Sequence, residues 1–410
     1  MKSILKQVLA EIKPDNEKEL KKQLNRFIKK LNTILKKLNV SAKAVLGGSA
    51  AKGTWLKDDY DCDIFVRFAL KHKKENLSLI LQEALEIFAA VTLVHGSRDY
   101  FTLDKDDIHY EIVPVLDIKK PEQAMNVTDF SPAHVTWINK KINQKSDLRN
   151  QIMLLKRFCK ANNLYGAESY INGFSGHVID IIVTNYRTFE NTLKQSLKWK
   201  DKQVIDVEKY YKRKNPLLEL NKSKTQGPLI VIDPIDKTRN AAAALNDELF
   251  DKFKETAKQF LKKPSKEFFN LKELNIPKLK DKGAVIIEIK PKSGKKDIIG
   301  CKLVKVFSFL KQQIEMNDFK IKDMNWQWDN KVIMYFITNN NLEKEKVHQG
   351  PIKDMEEHVK IFKKKYKNTF IKSNRIHAKI KRKHTKIENL IKELIKEKYI
   401  KEKVNKIGVL

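Results

Sequence analysis

Gly47-Gly48-Ser49-Ala50-Ala51-Lys52-Gly53-Thr54-Trp55-Leu56 leads, after four residues, into Asp61-Cys62-Asp63-Ile64-Phe65-Val66. A small-residue turn is followed by two carboxylates, one residue apart, at the start of an apolar run. In an extended strand, residues i and i+2 face the same way. Asp61 and Asp63 therefore project together, with Cys62 behind them. Like charges this close raise each other's pKa unless a cation lies between them. Carboxylates beside a glycine turn fit a hard cation such as Mg2+, held by oxygen and shared with substrate phosphates. Val45-Leu46 reads as the end of a strand and Gly47-Gly48-Ser49 as the entry to a helix. A helix entry presents backbone N–H groups to a phosphate, and Lys52 adds a cation. Alone, a Gly-Gly-Ser turn only reverses a chain. The aspartate pair at a fixed distance behind it makes the turn informative.

Outward from this stretch, a third carboxylate is needed. Asp107-Ile108-His109-Tyr110-Glu111-Ile112-Val113-Pro114 reads as a strand with Asp107, His109 and Glu111 on one face. Glu111 is the expected third metal ligand and Asp107 the alternative. Taken singly, Glu111 would be a solvated position on a strand face. Three carboxylates from two strands are what two-metal nucleotidyl transfer requires.

The bulk properties agree. The chain has 410 residues, with 83 Lys plus Arg against 51 Asp plus Glu, a formal net charge of +32. Such a balance points to a polyanionic partner, nucleic acid first. With 20 Phe, 11 Tyr and 5 Trp, a disordered basic tail is excluded. Three scattered cysteines match neither a zinc site nor a disulfide framework. The expectation is a reduced, cytoplasmic protein with no signal peptide and no membrane span.

Four further blocks carry a resemblance. They are Ser131-Pro132-Ala133-His134, Leu154–Glu168 with its Lys156 and Tyr165, Ile171–His177, and Val231–Asn240 with its Arg239. Together with Gly47–Phe65 and Glu111–Pro114, they are similar to the archaeal (class I) CCA-adding enzymes, which are CTP/ATP:tRNA nucleotidyltransferases of the polymerase-beta-like superfamily. The resemblance implies an α+β multidomain fold: a nucleotidyltransferase head (1–130), a helical central domain (131–265), and an α+β RNA-binding body with a helical tail (266–410). It implies two Mg2+ ions on Asp61, Asp63 and Glu111. It also implies that Gly48, Ser49, Lys52, His134, Lys156, Tyr165 and Arg239 contact the incoming CTP or ATP. The partner it implies is tRNA, through its acceptor stem, T arm and 3′ end, and a homodimer stays open. Two positions depart from the family: Glu111 stands where Asp is usual, and Lys52 where Arg is common, which loses the bidentate fork. The rival readings are a poly(A)-polymerase-like enzyme with the same carboxylates, and an inactive RNA-binding relative.

Periodicity fills in the rest. Residues 1–40 read as helical, with a start signal at Pro14-Asp15-Asn16. Helices are expected over 74–93 and 241–261, and Ser131 is expected to cap a helix. A strand–helix–strand–strand order over 284–337 predicts the body, with Trp326 and Trp328 on one strand face. The isoleucines and leucines of 374–406 predict a Lys-rich helical tail, in which 379–384 is a phosphate-contact candidate.

Overall fold

In the computed structural model, which describes every residue except 58, 60, 97, 107, 146, 272, 273, 329, 330 and 340, the chain forms two compact units, Met1–Lys272 and Glu273–Leu410.

The first unit begins with two helices, α1 (Lys2–Ile12) and α2 (Glu17–Lys37), separated at Pro14. Proline has no N–H to donate and disfavours helix in the residue before it. The five-stranded sheet comprises β1 (Ala42–Leu46), β2 (Asp61–Phe68), β3 (Thr92–Val94), β4 (Tyr100–Lys105) and β5 (Ile108–Leu116). Its order is β1-β2-β5-β4-β3. The central pair β2–β5 is parallel and the outer pairings are antiparallel. Ile64, Val66, Phe68 and Ile112 are buried against Leu24, Leu31 and Leu35 of α2 and Leu81 and Leu85 of α4 (Leu77–Glu86). Helix α4 is shorter than the expected 74–93. Asn76 caps it, accepting hydrogen bonds from the Ser78 and Leu79 N–H groups.

A second core lies under α5 (Ser131–Gln144), α6 (Leu148–Ala161), α7 (Gly176–Tyr186) and α8 (Phe189–Ser196). Ser131 opens α5, but the N-cap position is Phe130, without a side-chain cap. The helix expected from 241 starts at Asp247, where Asn246 accepts from the Leu249 N–H. Val8 and Ile12 of α1 belong to this second core rather than to the head. The adjacent residues Trp55 and Leu56, each 1% exposed, divide between the two: Trp55 lies in the head core and Leu56 in the second. The Lys57 N–H donates to the Ile12 carbonyl at 2.7 Å. The segment leading to Asp61 is thus pinned to both cores.

The second unit carries a four-stranded antiparallel sheet in which Val285–Pro291 lies between Val332–Thr338 and Val404–Val409. The helix Lys296–Met316 packs on it through Leu303, Val306 and Leu310. Trp326 and Trp328 pack against this same core. The expected helical tail is only partly helical: Arg375–Lys381 and Val404–Val409 are strands and Ile387–Leu394 is a helix. Ile376 and Ile380, four residues apart, satisfy a strand period of two as well as a helical period. They face the small core of Phe362 and Ala378.

Candidate active site

Strand β2 carries Asp61 and Asp63 on one face, while Cys62 is fully buried on the other. The parallel register places Asp63 opposite Glu111 and Asp61 opposite His109. Three carboxylates therefore share one face of two neighbouring strands. Burial pushes the Asp63 carboxyl above the usual carboxylate range; Lys52 and Lys156 oppose the shift and Asp61 adds to it. A half-buried carboxylate crowded by a second one calls for positive charge beside it.

The turn is shaped around Asp63. The Gly47 N–H donates to the Asp63 carbonyl at 2.7 Å. Gly48 has φ +49°, and a Cβ there would lie 1.5 Å from Asp63 Oδ2. Only glycine fits. The following helix α3 (Gly48–Lys52) is five residues long and ends on Gly53 in the left-handed region. It is a single turn, so the phosphate-binding character expected of a helix entry falls to side chains and local N–H groups rather than to a helix dipole.

The facing wall comes from the helices. Lys52 Nζ lies 2.7 Å from Asp180 Oδ2. Asp180 is 2% exposed, a lone charge in the apolar run of α7. Lys156 and Lys160, one turn apart on α6, both reach Asp59 Oδ2, at 3.0 and 2.7 Å. Burial would raise the Asp59 carboxyl, but these two ammonium groups hold it below its ordinary value. The Tyr165 ring lies 5.8 and 5.0 Å from the same two nitrogens. Burial, with Asp59 and Asp180 nearby, pushes the Tyr165 phenol far up, so it remains a hydrogen-bond donor.

These groups enclose a cleft of about 340 Å³. It brings together Gly48, Ser49, Lys52, Asp61, Asp63, Glu111, Lys156 and Tyr165, as expected from the sequence, and adds Asp59, Lys160, Glu168 and Asp180. Six carboxylates face three lysines among the described lining residues. An anionic substrate therefore needs cations with it. Asp107, the alternative third ligand, lies outside the described residues.

His134 and Arg239 do not line this cleft. They meet at Asp233, which is fully buried. His134 Nε2 is 3.0 Å from Asp233 Oδ1, and Arg239 Nη1 donates to Oδ2 at 2.5 Å. His177 Nε2 stands 3.4 Å from Oδ2. The Ile235 and Asp236 N–H groups also donate to Oδ1. Burial alone would raise Asp233, but the two histidines hold it far below the carboxylate range. Burial, and His134 beside it, lower His177 to about 4. His134, His177 and Asp233 have the atom types of a metal centre, with ligand atoms within 4.8 Å of one another. The guanidinium on the same carboxylate and the two imidazoles in tilted contact (centroids 3.9 Å, 31°) instead make a hydrogen-bonded charge cluster. This cluster adjoins the cleft through α7, whose Gly176 and Asp180 are lining residues.

The residues that sequence reasoning missed had signals. The i, i+4 spacing of Lys156 and Lys160 puts both on one helix face. Asp180 is the one charge within Val178–Val183, and a charge buried in an apolar stripe needs a partner.

Three segments of the chain match known families. Residues 28–134 match the nucleotidyltransferase domain family, 150–270 the second domain of tRNA nucleotidyltransferase, and 282–406 the C-terminal domain of CCA-adding enzyme. The CCA-adding enzyme of Methanocaldococcus jannaschii is 31% identical over 413 residues, covering 96% of this chain and 91% of that protein. That of Nanoarchaeum equitans is 46% identical over 207 residues, covering 50% of this chain and 52% of that protein. Among solved structures, the Cid1 poly(U) polymerase superposes with TM-score 0.53 at 14% identity, over 66% of this chain and 98% of that one. A cytoplasmic RNA terminal U-transferase superposes with TM-score 0.51 at 15% identity, over 67% of this chain and all of that one. At such identities, these structures share the fold alone. With all three of its segments matched and a relative aligned along nearly its whole length, the chain belongs to the CCA-adding enzyme family.

Proposed function

We propose that the protein adds C, C and A to the 3′ end of tRNA from CTP and ATP, without a template and with release of pyrophosphate. The observation that carries this is the register of β2 and β5. It sets Asp63 opposite Glu111 with Asp61 on the same face, beside a lysine-lined cleft, in a member of this family.

Asp61, Asp63 and Glu111 would hold two Mg2+ ions; the half-buried, crowded Asp63 and the absence of a Cβ at Gly48 fit such a site. Bound there, divalent cations lower the pKa of an attacking hydroxyl and neutralise charge on the phosphates. The chain's own groups do the positioning. Ser49 and Lys52 hold phosphate oxygens from the turn side, and Lys156 from the helical side. Tyr165 donates its phenolic proton while its ring lies under the lysines. The tRNA 3′-hydroxyl attacks the α-phosphorus in line, and pyrophosphate leaves. Arg239, fixed by Asp233, is the group we assign to reading the base edge, and His134 orients that carboxylate. In this reading residues 1–130 catalyse, 131–265 bind nucleotide, and 266–410 grip the acceptor stem and T arm through backbone charge and A-form shape. Among the described residues, no helix is long and apolar enough to cross a membrane.

The test uses tRNA lacking its last three nucleotides, with Mg2+ and single nucleotides or pairs. CTP alone should add two residues, and CTP with ATP should add three and stop. Long tails from ATP alone would favour the poly(A)-polymerase-like rival. Asp63→Ala should lower the rate by at least about 10²-fold; unchanged activity would remove the metal-centred reading. Loss in Glu111→Ala with partial recovery in Glu111→Asp would fix the third ligand.

A further inference from the structure

The cleft contains a carboxylate for which the metal-binding face has no use. Asp59 precedes β2, and its Oδ2 is shared between Lys156 Nζ at 3.0 Å and Lys160 Nζ at 2.7 Å. Its side chain is 18% exposed, against 9% and 23% for the two lysines. One anionic oxygen bridging two ammonium groups above an aromatic ring is the environment a phosphate oxygen would have in the same place. The two lysines cannot serve both anions in full. The cleft already has twice as many carboxylates as lysines among its described lining residues, so each cation there is contested.

We propose that Asp59 is a built-in stand-in for a nucleotide phosphate. It holds Lys156 and Lys160 while the cleft is free of nucleotide and yields them to the triphosphate. After transfer it takes them back and helps displace pyrophosphate. The inference rests on reading the cleft as a triphosphate site. Trp55 and Leu56 are anchored in the two cores upstream and Asp61 begins β2 downstream, so the exchange is assigned to the Asp59 side chain. Without the carboxylate, Lys156 and Lys160 would face each other as like charges one helical turn apart, which is unfavourable. The stand-in therefore also keeps the empty site ordered. Its effect on substrate is competition: it weakens the binding of any phosphate chain that uses the two lysines.

The test is Asp59→Asn in the full-length protein with Mg2+ and tRNA lacking its end, measuring KM and kcat for CTP and ATP and the inhibition constant of inorganic pyrophosphate. Both KM values and the pyrophosphate constant should fall together, by about 3- to 5-fold, the effect of one partly screened charge pair. Asp59→Ser, smaller and also uncharged, should move them the same way. Lys160→Gln should raise them, and should reduce the effect of Asp59→Asn when the two are combined. A rise in KM in Asp59→Asn would overturn the proposal, because Asp59 would then only position the lysines. A collapse of kcat at constant KM would also overturn it, because Asp59 would then serve the metal site. If the unaltered protein neither extends tRNA nor is inhibited by pyrophosphate, the triphosphate reading itself fails. If it does both and Asp59→Asn tightens neither ligand, only the stand-in fails.

Discussion

A single hydrogen at Gly48 decides whether Asp63 can occupy its place. With φ +49° and a hypothetical Cβ 1.5 Å from Asp63 Oδ2, Gly48→Ala must move either the turn or the carboxylate. Misplacement on the order of 1 Å costs about 10²-fold in rate. We therefore expect extension activity to fall by about that factor, in a protein whose circular dichroism still shows a folded chain. A second residue-scale consequence concerns pH. His177 is lowered from 6.5 to about 4 by burial and by His134, so the folded protein holds it neutral where the unfolded chain would protonate it. Between about pH 6.5 and 4 the unfolded state binds the extra proton, and stability falls as pH falls. The loss approaches about 3 kcal/mol at the acid end. Asp233 does not act in this window, since its depressed carboxyl loses stability only below its unfolded value near 3.8. Urea unfolding at pH 7, 5.5 and 4.5 should show the decline, and His177→Gln should flatten it. The aspartate pair and the glycine turn were legible because their chemistry is local. Asp59, Lys160 and Asp180 were less so, because each gains its meaning from a partner far away in sequence.

At the scale of elements, the segment between α3 and β2 does more than connect. Trp55 and Leu56 are neighbours in sequence yet lie in different cores, which ties the Asp61 end of β2 to both halves of the first unit. Leu56→Ala should cost about 2–5 kcal/mol, as for other buried leucines. If the tie matters for chemistry, kcat should fall at temperatures where the variant is still fully folded; a change in melting temperature alone would make Leu56 a packing residue only. Strands β2 and β5 could be read from their apolar runs, and their register is what brings Asp63 to Glu111. The tail shows where periodicity misleads. Ile376 and Ile380 fit two periods at once, and what decides for strand is pairing of Arg375–Lys381 with Glu345–Ile352 and Thr369–Lys372, which lies outside any local window. The late start of the 247–262 helix follows from Asn246, whose side chain caps it; the alanines at 241–244 offered no such stop signal.

At the scale of the molecule, two compact units, a net charge of +32 and a cleft in which carboxylates outnumber lysines have one consistent account. In the function proposed above, the net positive charge draws a polyanion, and the carboxylate-rich cleft takes its substrate together with divalent cations. The class of reaction was legible from motif order, whereas the separation of the Asp233 cluster from the cleft was not, because it depends on how Ile232–Asn240 folds back on α7. The measurement that tests the central claim most directly is sequencing of the products formed on tRNA lacking its end, with CTP, ATP and Mg2+ all present. The account predicts a single product longer by C-C-A that is no longer extended, and none with Asp63→Ala. A homopolymer tail, or equal product from Asp63→Ala, would contradict it.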